Sequence, residues 1–334
     1  MESGRQRQFH IHDCLGRGGY GEVYRATMVA PGGVRNDVAV KLLRVDLDPG
    51  AEAVRRLRDE ARVMSALRHP SILKVFDLAL LEGRVGLVTE YVEGEDLATL
   101  VGVLPPRAVL EVIATVAEAL DAAWSTLGPD HQPLRLVHRD VKPSNIRVGR
   151  HGEVKLLDFG IARSMAETSD REARTGTGST VGSLAYMAPE RFGRAPVGPA
   201  ADVYGLGCTL FELLAGRRLF VDPVPVEMFR LASDPAAYER HVVEAMAALP
   251  SELDPDLARM IRSMLAYGTE SRPTPGQVRA ACEAALDVLP GEPLKRWARS
   301  HSWSTSKAVG GYLEGKVITE GTLSHVPPPT TLAP

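Results

Sequence analysis

Apolar residues change their spacing part-way along this chain, and the change divides it in two. In the first part the pattern is short and β-like. Val23-Tyr24 follows a glycine-rich turn, and Val38-Ala39-Val40-Lys41-Leu42-Leu43 is a compact run of strand formers. Pro31-Gly32-Gly33 between them marks a turn, so antiparallel strands are predicted. Asp48-Pro49 then supplies a capping side chain and a proline for the first helical position. From there Val54, Leu57, Ala61, Met64 and Leu67 recur at three and four, the stripe of an amphipathic helix ended by His69-Pro70. Two further strand-like runs cover 71–80 and 85–92.

From Asp96 onward the pattern is mainly helical, with helices predicted over 108–124, 200–215, 257–265 and 276–288. A short β pair, 146–148 and 154–157, interrupts it around a turn at Gly149–Gly152. The class is therefore α+β: an antiparallel sheet with one major helix, then a mainly helical part. Past about Pro290 the pattern fades. Lys295, Arg296 and Arg299 beside Trp297 and Trp303 read as a loosely packed linker helix, and the end, Val326-Pro327-Pro328-Pro329, as an extended, mobile tail.

Composition narrows the field. The 334 residues suffice for two lobes and a tail, and 44% hydrophobic content is that of an ordinary soluble protein. A net charge of −3 gives no global footprint for nucleic acid or anionic lipid. Cys14, Cys208 and Cys282 are far apart and form no Cys-x-x-Cys pair, which argues against a zinc site or a disulfide framework. Residues 1–12 lack an apolar signal region, and no stretch approaches the ~20 apolar residues of a membrane span. Ala108–Trp124 comes nearest but is broken by Glu111, Glu118 and Asp121. A cytoplasmic location is the expectation.

Candidate chemistry begins at Gly16-Arg17-Gly18-Gly19-Tyr20-Gly21-Glu22-Val23, which fits G-x-G-x-x-G-x-V. Glycines let a turn approach phosphates and present backbone N–H groups to them. β-type residues follow where a dinucleotide fingerprint needs a helix, and the Gly-Lys-Ser/Thr of a Walker loop is absent. Strand alternation puts Ala39 and Lys41 on one face. A lysine on a covered face needs a negative partner, either a nucleotide phosphate or a carboxylate. Glu60, on the apolar face of its helix, is the candidate carboxylate, with an intrahelical pair to Arg56 as the other reading.

In the helical part, His138-Arg139-Asp140-Val141-Lys142-Pro143-Ser144-Asn145 and Asp158-Phe159-Gly160 bring carboxylates and an amide into two short motifs. An Asp and an Asn converging on phosphates suit Mg²⁺, a hard cation that prefers oxygen. A further carboxylate off the metal can take a hydroxyl proton, and a lysine can neutralise charge on a transferred group.

In this order, the Gly loop, Val-Ala-Val-Lys, His-Arg-Asp, Asp-Phe-Gly and Ala188-Pro189-Glu190 resemble the protein kinase signatures. The Lys-Pro-Ser-Asn form is similar to Ser/Thr kinases, and the whole to the bacterial, eukaryotic-like branch. The resemblance implies the bilobal kinase fold over 9–288, with an N-lobe of about 9–92, a C-lobe of about 93–288 and a largely disordered tail at 289–334. It implies ATP and Mg²⁺ (Mn²⁺ being the alternative) and protein substrates. By the same resemblance Asp140 orients the substrate hydroxyl, Lys142 contacts the γ-phosphate, Asn145 and Asp158 hold the metal, and Lys41 binds phosphates and pairs with Glu60. Gly16, Gly18, Gly21, Val23 and Ala39 cover the nucleotide. Glu90–Val92 forms the hinge to adenine, Thr89 the gatekeeper, and Asp96 the ribose contact. Glu190 is expected to pair with Arg272, Asp202 to brace the catalytic loop, and His138, Phe159, Met64 and Val75 to stack between the lobes.

The polar segment after Asp158 holds Thr175 and Thr177, the candidate phosphosites, and Arg139 is the residue the resemblance pairs with their phosphates. Autophosphorylation in trans, through a homodimer, is the expected control. Two positions depart from the family pattern. Ser183 stands where Thr is usual. Arg147 stands where an aliphatic residue usually lies under adenine; its stem is expected to pack there and its guanidinium to stack on the base. Alternatives are a catalytically weak pseudokinase scaffold, opposed by the presence of Lys41, Asp140 and Asp158; a small-molecule phosphotransferase, opposed by Ala188-Pro189-Glu190; and a docking module acting through the tail.

Overall fold

Strand alternation sorts the first lobe into two faces. Val38, Val40 and Leu42 are all fully buried on one face of their strand, and Ala39 and Lys41 turn to the other. A computed structural model describes residues 6–18, 21–43, 61, 63–65, 67–128, 131–159, 183–193, 197–221, 225–304 and 310–321. In it, β1 (Gln8–Gly18), β2 (Gly21–Val29), β3 (Arg35–Leu43), β4 (Val75–Leu81) and β5 (Arg84–Glu90) form an antiparallel sheet. Of the predicted helix after Asp48-Pro49, Ala61 and residues 63–65 are described and helical; Glu60 lies outside the described residues.

The sheet faces two different cores. Leu43, Leu78, Val85 and Leu87 join Met64 and Leu67 in a core that continues without a break into the helical lobe. Phe9, Ile11, Cys14, Tyr24, Ala26, Val38, Val40 and Leu42 form a second core on the outer face.

The small sheet of β6 (Gly94–Asp96), β7 (Ile146–Gly149) and β8 (Val154–Leu156) marks the entry to the second lobe. Its helices are α1 (Pro106–Ser125), α2 (Pro199–Ala215), α3 (Pro225–Ser233), α4 (Pro235–Met246), α5 (Pro255–Met264) and α6 (Pro275–Val288). Each opens on proline, where a missing N–H costs nothing. Asp234, Asp254 and Thr274 cap α4, α5 and α6 with their side chains, and Thr274 with Gln277 forms a capping box. α1 is buried along its length between α2 and α6. α2 passes close under the catalytic run: a Cβ at Gly205 would lie 2.6 Å from the Val141 carbonyl oxygen. That approach needs glycine.

The tail differs from its expectation. Residues 294–300 form α7 (Leu294–Ser300), and Trp297 is only 8% exposed, so the helix is firmly packed. Val317–Thr319 forms β9, which adds to the free edge of β1 and extends the large sheet to β4-β5-β3-β2-β1-β9. Leu313 and Ile318 cover the outer core. The expected disorder is therefore replaced, within the described part of the tail, by a helix and a strand that bury apolar side chains. Among the described residues no helix is long and apolar enough to cross a membrane.

Candidate active site

The catalytic run is held by a carboxylate beneath it. Asp202, in the first turns of α2 and 3% exposed, accepts the His138 N–H at 2.6 Å and the Arg139 N–H at 2.7 Å. Burial pushes the Asp202 carboxyl above its ordinary range, and the two N–H groups oppose that shift. Arg139 has a φ of 66°, a left-handed conformation that this bracing makes tenable, and Arg191 donates to its carbonyl. His138 is a core residue. Its Nδ1 accepts the Asp140 N–H at 3.2 Å, which assigns the ring proton to Nε2, 2.6 Å from the Leu157 carbonyl oxygen. Its ring meets Phe159 at 4.7 Å, and Met64 and Val75 are buried in the same lobe-spanning core.

Above this brace the chemical groups converge. Lys142 Nζ donates to Asp140 Oδ2 at 2.8 Å and to Ser183 Oγ at 2.7 Å, so serine supplies the hydroxyl here. Asn145 Nδ2 donates to the Asp140 carbonyl at 2.8 Å and to Asp140 Oδ2 at 3.0 Å. With its nitrogen so used, the oxygen of the Asn145 amide is the atom with ligand capacity for a cation. Asp158 has a φ of 52°, and its Oδ2 receives Lys41 Nζ at 2.8 Å. That links β3 to the catalytic side of the cleft. Among the described residues no three His, Cys, Asp or Glu gather into a metal cluster. One amide oxygen and one carboxylate instead fit a hard ion that completes its shell with water and phosphate.

The nucleotide side of the cleft follows from β-pairing. Val23 pairs with Lys41, and Ala39 with buried Thr89, which puts the glycine hairpin, the lysine and Thr89 on neighbouring strands. Gly16 pairs with Val23 and Gly18 with Gly21 at the hairpin tip. Gly21 has a φ of 137°, and a Cβ there would strike the Leu42 carbonyl at 1.8 Å. Glu90 is pinned through Oε1 by the Lys74 N–H at 2.7 Å and by Lys155 Nζ at 2.6 Å.

Arg147 carries contacts that the sequence pattern does not mark. The guanidinium is a clamp: Nε donates to the Val92 carbonyl at 2.8 Å, Nη2 to the Gly94 carbonyl at 2.6 Å and Nη1 to Asp96 Oδ1 at 2.7 Å. These bonds use the edge of the guanidinium and leave its planar face, the part expected under adenine, uncommitted by them. Burial raises the Asp96 carboxyl, and Arg147 pulls against that rise.

The sequence model for the protein kinase domain matches residues 9–283. The chain belongs to the protein kinase family. This kinase is 34% identical over 291 residues to the serine/threonine-protein kinase PknB of Mycolicibacterium smegmatis, covering 84% of this chain and 42% of that protein. It is 33% identical over 319 residues to PknB of Mycobacterium tuberculosis, 92% and 47% covered. To a probable serine/threonine-protein kinase of Streptomyces coelicolor it is 33% identical over 319 residues, 91% and 43% covered. The chain spans less than half the length of the curated relatives it matches. The family uses ATP and a divalent metal, and its members act on proteins.

Elsewhere in the kinase, Arg272 and Glu190 form the expected pair, bidentate at 2.8 Å in both arms. Arg272, with a side chain 0% exposed, also donates to the carbonyls of Ala266, Tyr267 and Ala200, and its charge lies over the Tyr204 ring. Thr175 and Thr177 lie outside the described residues. Two contributors escaped the sequence reading. Lys155 anchors Glu90, at the start of the expected hinge; it sits in a strand whose alternation marks it as outward but names no partner. Tyr186 donates to Glu212 at 2.5 Å, and burial, then that hydrogen bond, raise the Tyr186 hydroxyl far above its usual range.

Proposed function

We propose that this chain transfers the γ-phosphoryl group of ATP to serine and threonine hydroxyls of proteins. The observation that carries the reading is the Asp140–Lys142–Ser183–Asn145 cluster, in which one carboxylate is held by a cation and an amide at a strained, braced loop. Asp140 would receive the hydroxyl proton as the oxygen attacks, and Lys142 would stabilise charge on the transferred group. Lys41 would turn to the α- and β-phosphates, Thr89 and Glu90–Val92 would frame adenine, and Asp96 would take the ribose. Asn145 and Asp158 would hold Mg²⁺, which would offset the charge of the phosphates. The oxygen-only donor set suits Mg²⁺ and Mn²⁺ alike; Mg²⁺ is the ion proposed, with Mn²⁺ as the alternative.

Control by autophosphorylation at Thr175 and Thr177, in trans between two copies, is part of the same proposal, as is a cytoplasmic location where ATP is supplied. The test is incubation with Mg-ATP followed by phosphosite mapping, with Asp140→Asn as control. Phosphate on the wild type alone supports the reading; equal labelling of both places the chemistry elsewhere. An unchanged rate in Thr175→Ala/Thr177→Ala would sink the regulatory part.

A further inference from the structure

The segment after the last large helix touches both lobes and the strand between them. On the helical lobe, α7 buries Leu294, Trp297 and Ala298, and the Leu294 N–H donates to Glu111 Oε2 at 2.9 Å on α1. It sits directly on the β7–β8 turn: a Cβ at Gly152 would lie 2.7 Å from the Lys295 Cα. Trp297 stacks on His301 at 4.4 Å and meets Trp303 edge-on at 5.8 Å, and the Trp303 indole N–H donates to the Ala298 carbonyl. This aromatic knot delivers Ser304 to β6. There the Ser304 N–H and hydroxyl both donate to Glu95 Oε1, at 2.6 and 2.7 Å.

On the small lobe the same segment is bound again. Gly311 lies so close over Tyr24 that a Cβ would approach its ring to 2.4 Å. Glu314 accepts the Cys14 N–H at 2.9 Å, β9 pairs with β1, and the Gly321 N–H donates to the Leu80 carbonyl at 2.8 Å. Arg7 closes the arrangement with two hydrogen bonds to Glu320, at 2.7 and 2.5 Å. Leu313 and Ile318 are 1% and 5% exposed in the outer core. The six Cα steps from Ser304 to Gly310 can span at most about 20 Å. The two anchorages therefore limit how far the small lobe can swing from β6.

Glu95 is the middle residue of β6. Its neighbours are Gly94, whose carbonyl Arg147 holds, and Asp96, whose carboxylate the same guanidinium holds. Burial would raise the Glu95 carboxyl, but the two Ser304 hydrogen bonds bring it below its ordinary value, so the latch favours a charged carboxylate.

We propose that residues 294–304 and 310–321 are the two anchored ends of a strap that belongs to the nucleotide site: it ties the helical lobe to the outer edge of the small-lobe sheet and, through Ser304 and Glu95, positions β6 and Asp96 for the ribose hydroxyls of ATP. The inference rests on the kinase reading above. Ser304 is a positioning residue that touches no substrate. Lifting the latch frees β6 and relaxes the limit on lobe opening, so it weakens nucleotide binding and leaves the transfer step intact.

The test uses the full chain. Ser304→Asp sets a carboxylate against Glu95, and Ser304→Asp with Glu95→Lys restores opposite charges. Affinity for a non-hydrolysable ATP analogue is measured by calorimetry, hydrogen exchange by mass spectrometry, and the ATP dependence of autophosphorylation by label incorporation. Ser304→Asp is expected to weaken analogue binding about three- to tenfold and to raise the ATP KM alike, with kcat changed less than about twofold. Exchange should quicken in β6, β1 and residues 310–321 only. Ser304→Ala should give a smaller change in the same direction, and the charge swap should recover most of the affinity. Unchanged affinity in Ser304→Asp, with or without faster exchange, overturns the proposal, as does a charge swap that restores nothing. Binding and exchange need no turnover, so a wild type that binds the analogue and transfers no phosphate counts against the kinase reading alone.

Discussion

The catalytic loop and the β6–β7 pair adjoin in sequence and in space, and they are built differently. In the loop, Asp140, Lys142 and Asn145 bind one another across two to five residues, and one outside carboxylate, Asp202, braces the backbone. In the β6–β7 pair, Arg147 reaches back more than fifty residues to Val92, Gly94 and Asp96, and Glu95 is met by Ser304 from 209 residues away. The groups proposed for proton and phosphoryl handling are thus packed into one short segment. The groups proposed for nucleotide placement are gathered from several, and a change in any of them is expected to alter the recognition side and leave the chemical side standing.

The sharpest way to break this contrast is Asp140→Asn. It is expected to cut phosphoryl transfer about 10²–10⁴-fold with nucleotide affinity nearly unchanged, measured by label incorporation and calorimetry. A loss of affinity of the same size would mean the two regions are one. Asp202→Asn comes next. An amide oxygen can accept from one of the two N–H groups while its NH₂ opposes the other, leaving a buried donor unpaired at about 1–3 kcal/mol. A lower melting temperature and a slower rate with an unaltered ATP KM are expected. Arg147→Leu should act on the other side: an ATP KM raised roughly five- to tenfold, with kcat little moved. Tighter nucleotide binding in that variant would show that arginine obstructs the adenine floor. Lys155→Ala should have the smallest effect, about twofold on KM, because the Glu90 contact it loses is one of two and only partly buried.

The same contrast explains what could be read from the amino-acid order. The candidate catalytic residues stand in motifs whose members are neighbours, so His138–Asn145 and Asp158-Phe159-Gly160 announce themselves. The strands of the small lobe and α1, α2, α5 and α6 follow from periodicity. The pair α3 and α4 went unread, although Asp234-Pro235 repeats the Asp-Pro opening recognised at Asp48-Pro49 and caps α4 through the Ala237 N–H. Arg147 departs from the family pattern, but two of its three partners are carbonyl oxygens, which every residue carries and no pattern marks. β9 is three residues long with one buried position, Ile318, too short for alternation to reveal. Its existence depends on an open edge of β1 supplied by the far end of the chain.

The three buried thiols acquire a use from where they lie. Cys14 sits in the outer core beneath Gly311, Cys208 in the middle of α2, and Cys282 on α6. Burial pushes the Cys208 and Cys282 thiols up to about 12, so as long as the helical lobe is folded they present almost no thiolate to an alkylating reagent. Each becomes a built-in clock for its own region. Cys14 should alkylate when the cover of residues 310–321 lifts, and the other two when the helical lobe opens. Timed alkylation of the native protein therefore reads, residue by residue and without any introduced label, whether the strap lets go before the lobe beneath it does.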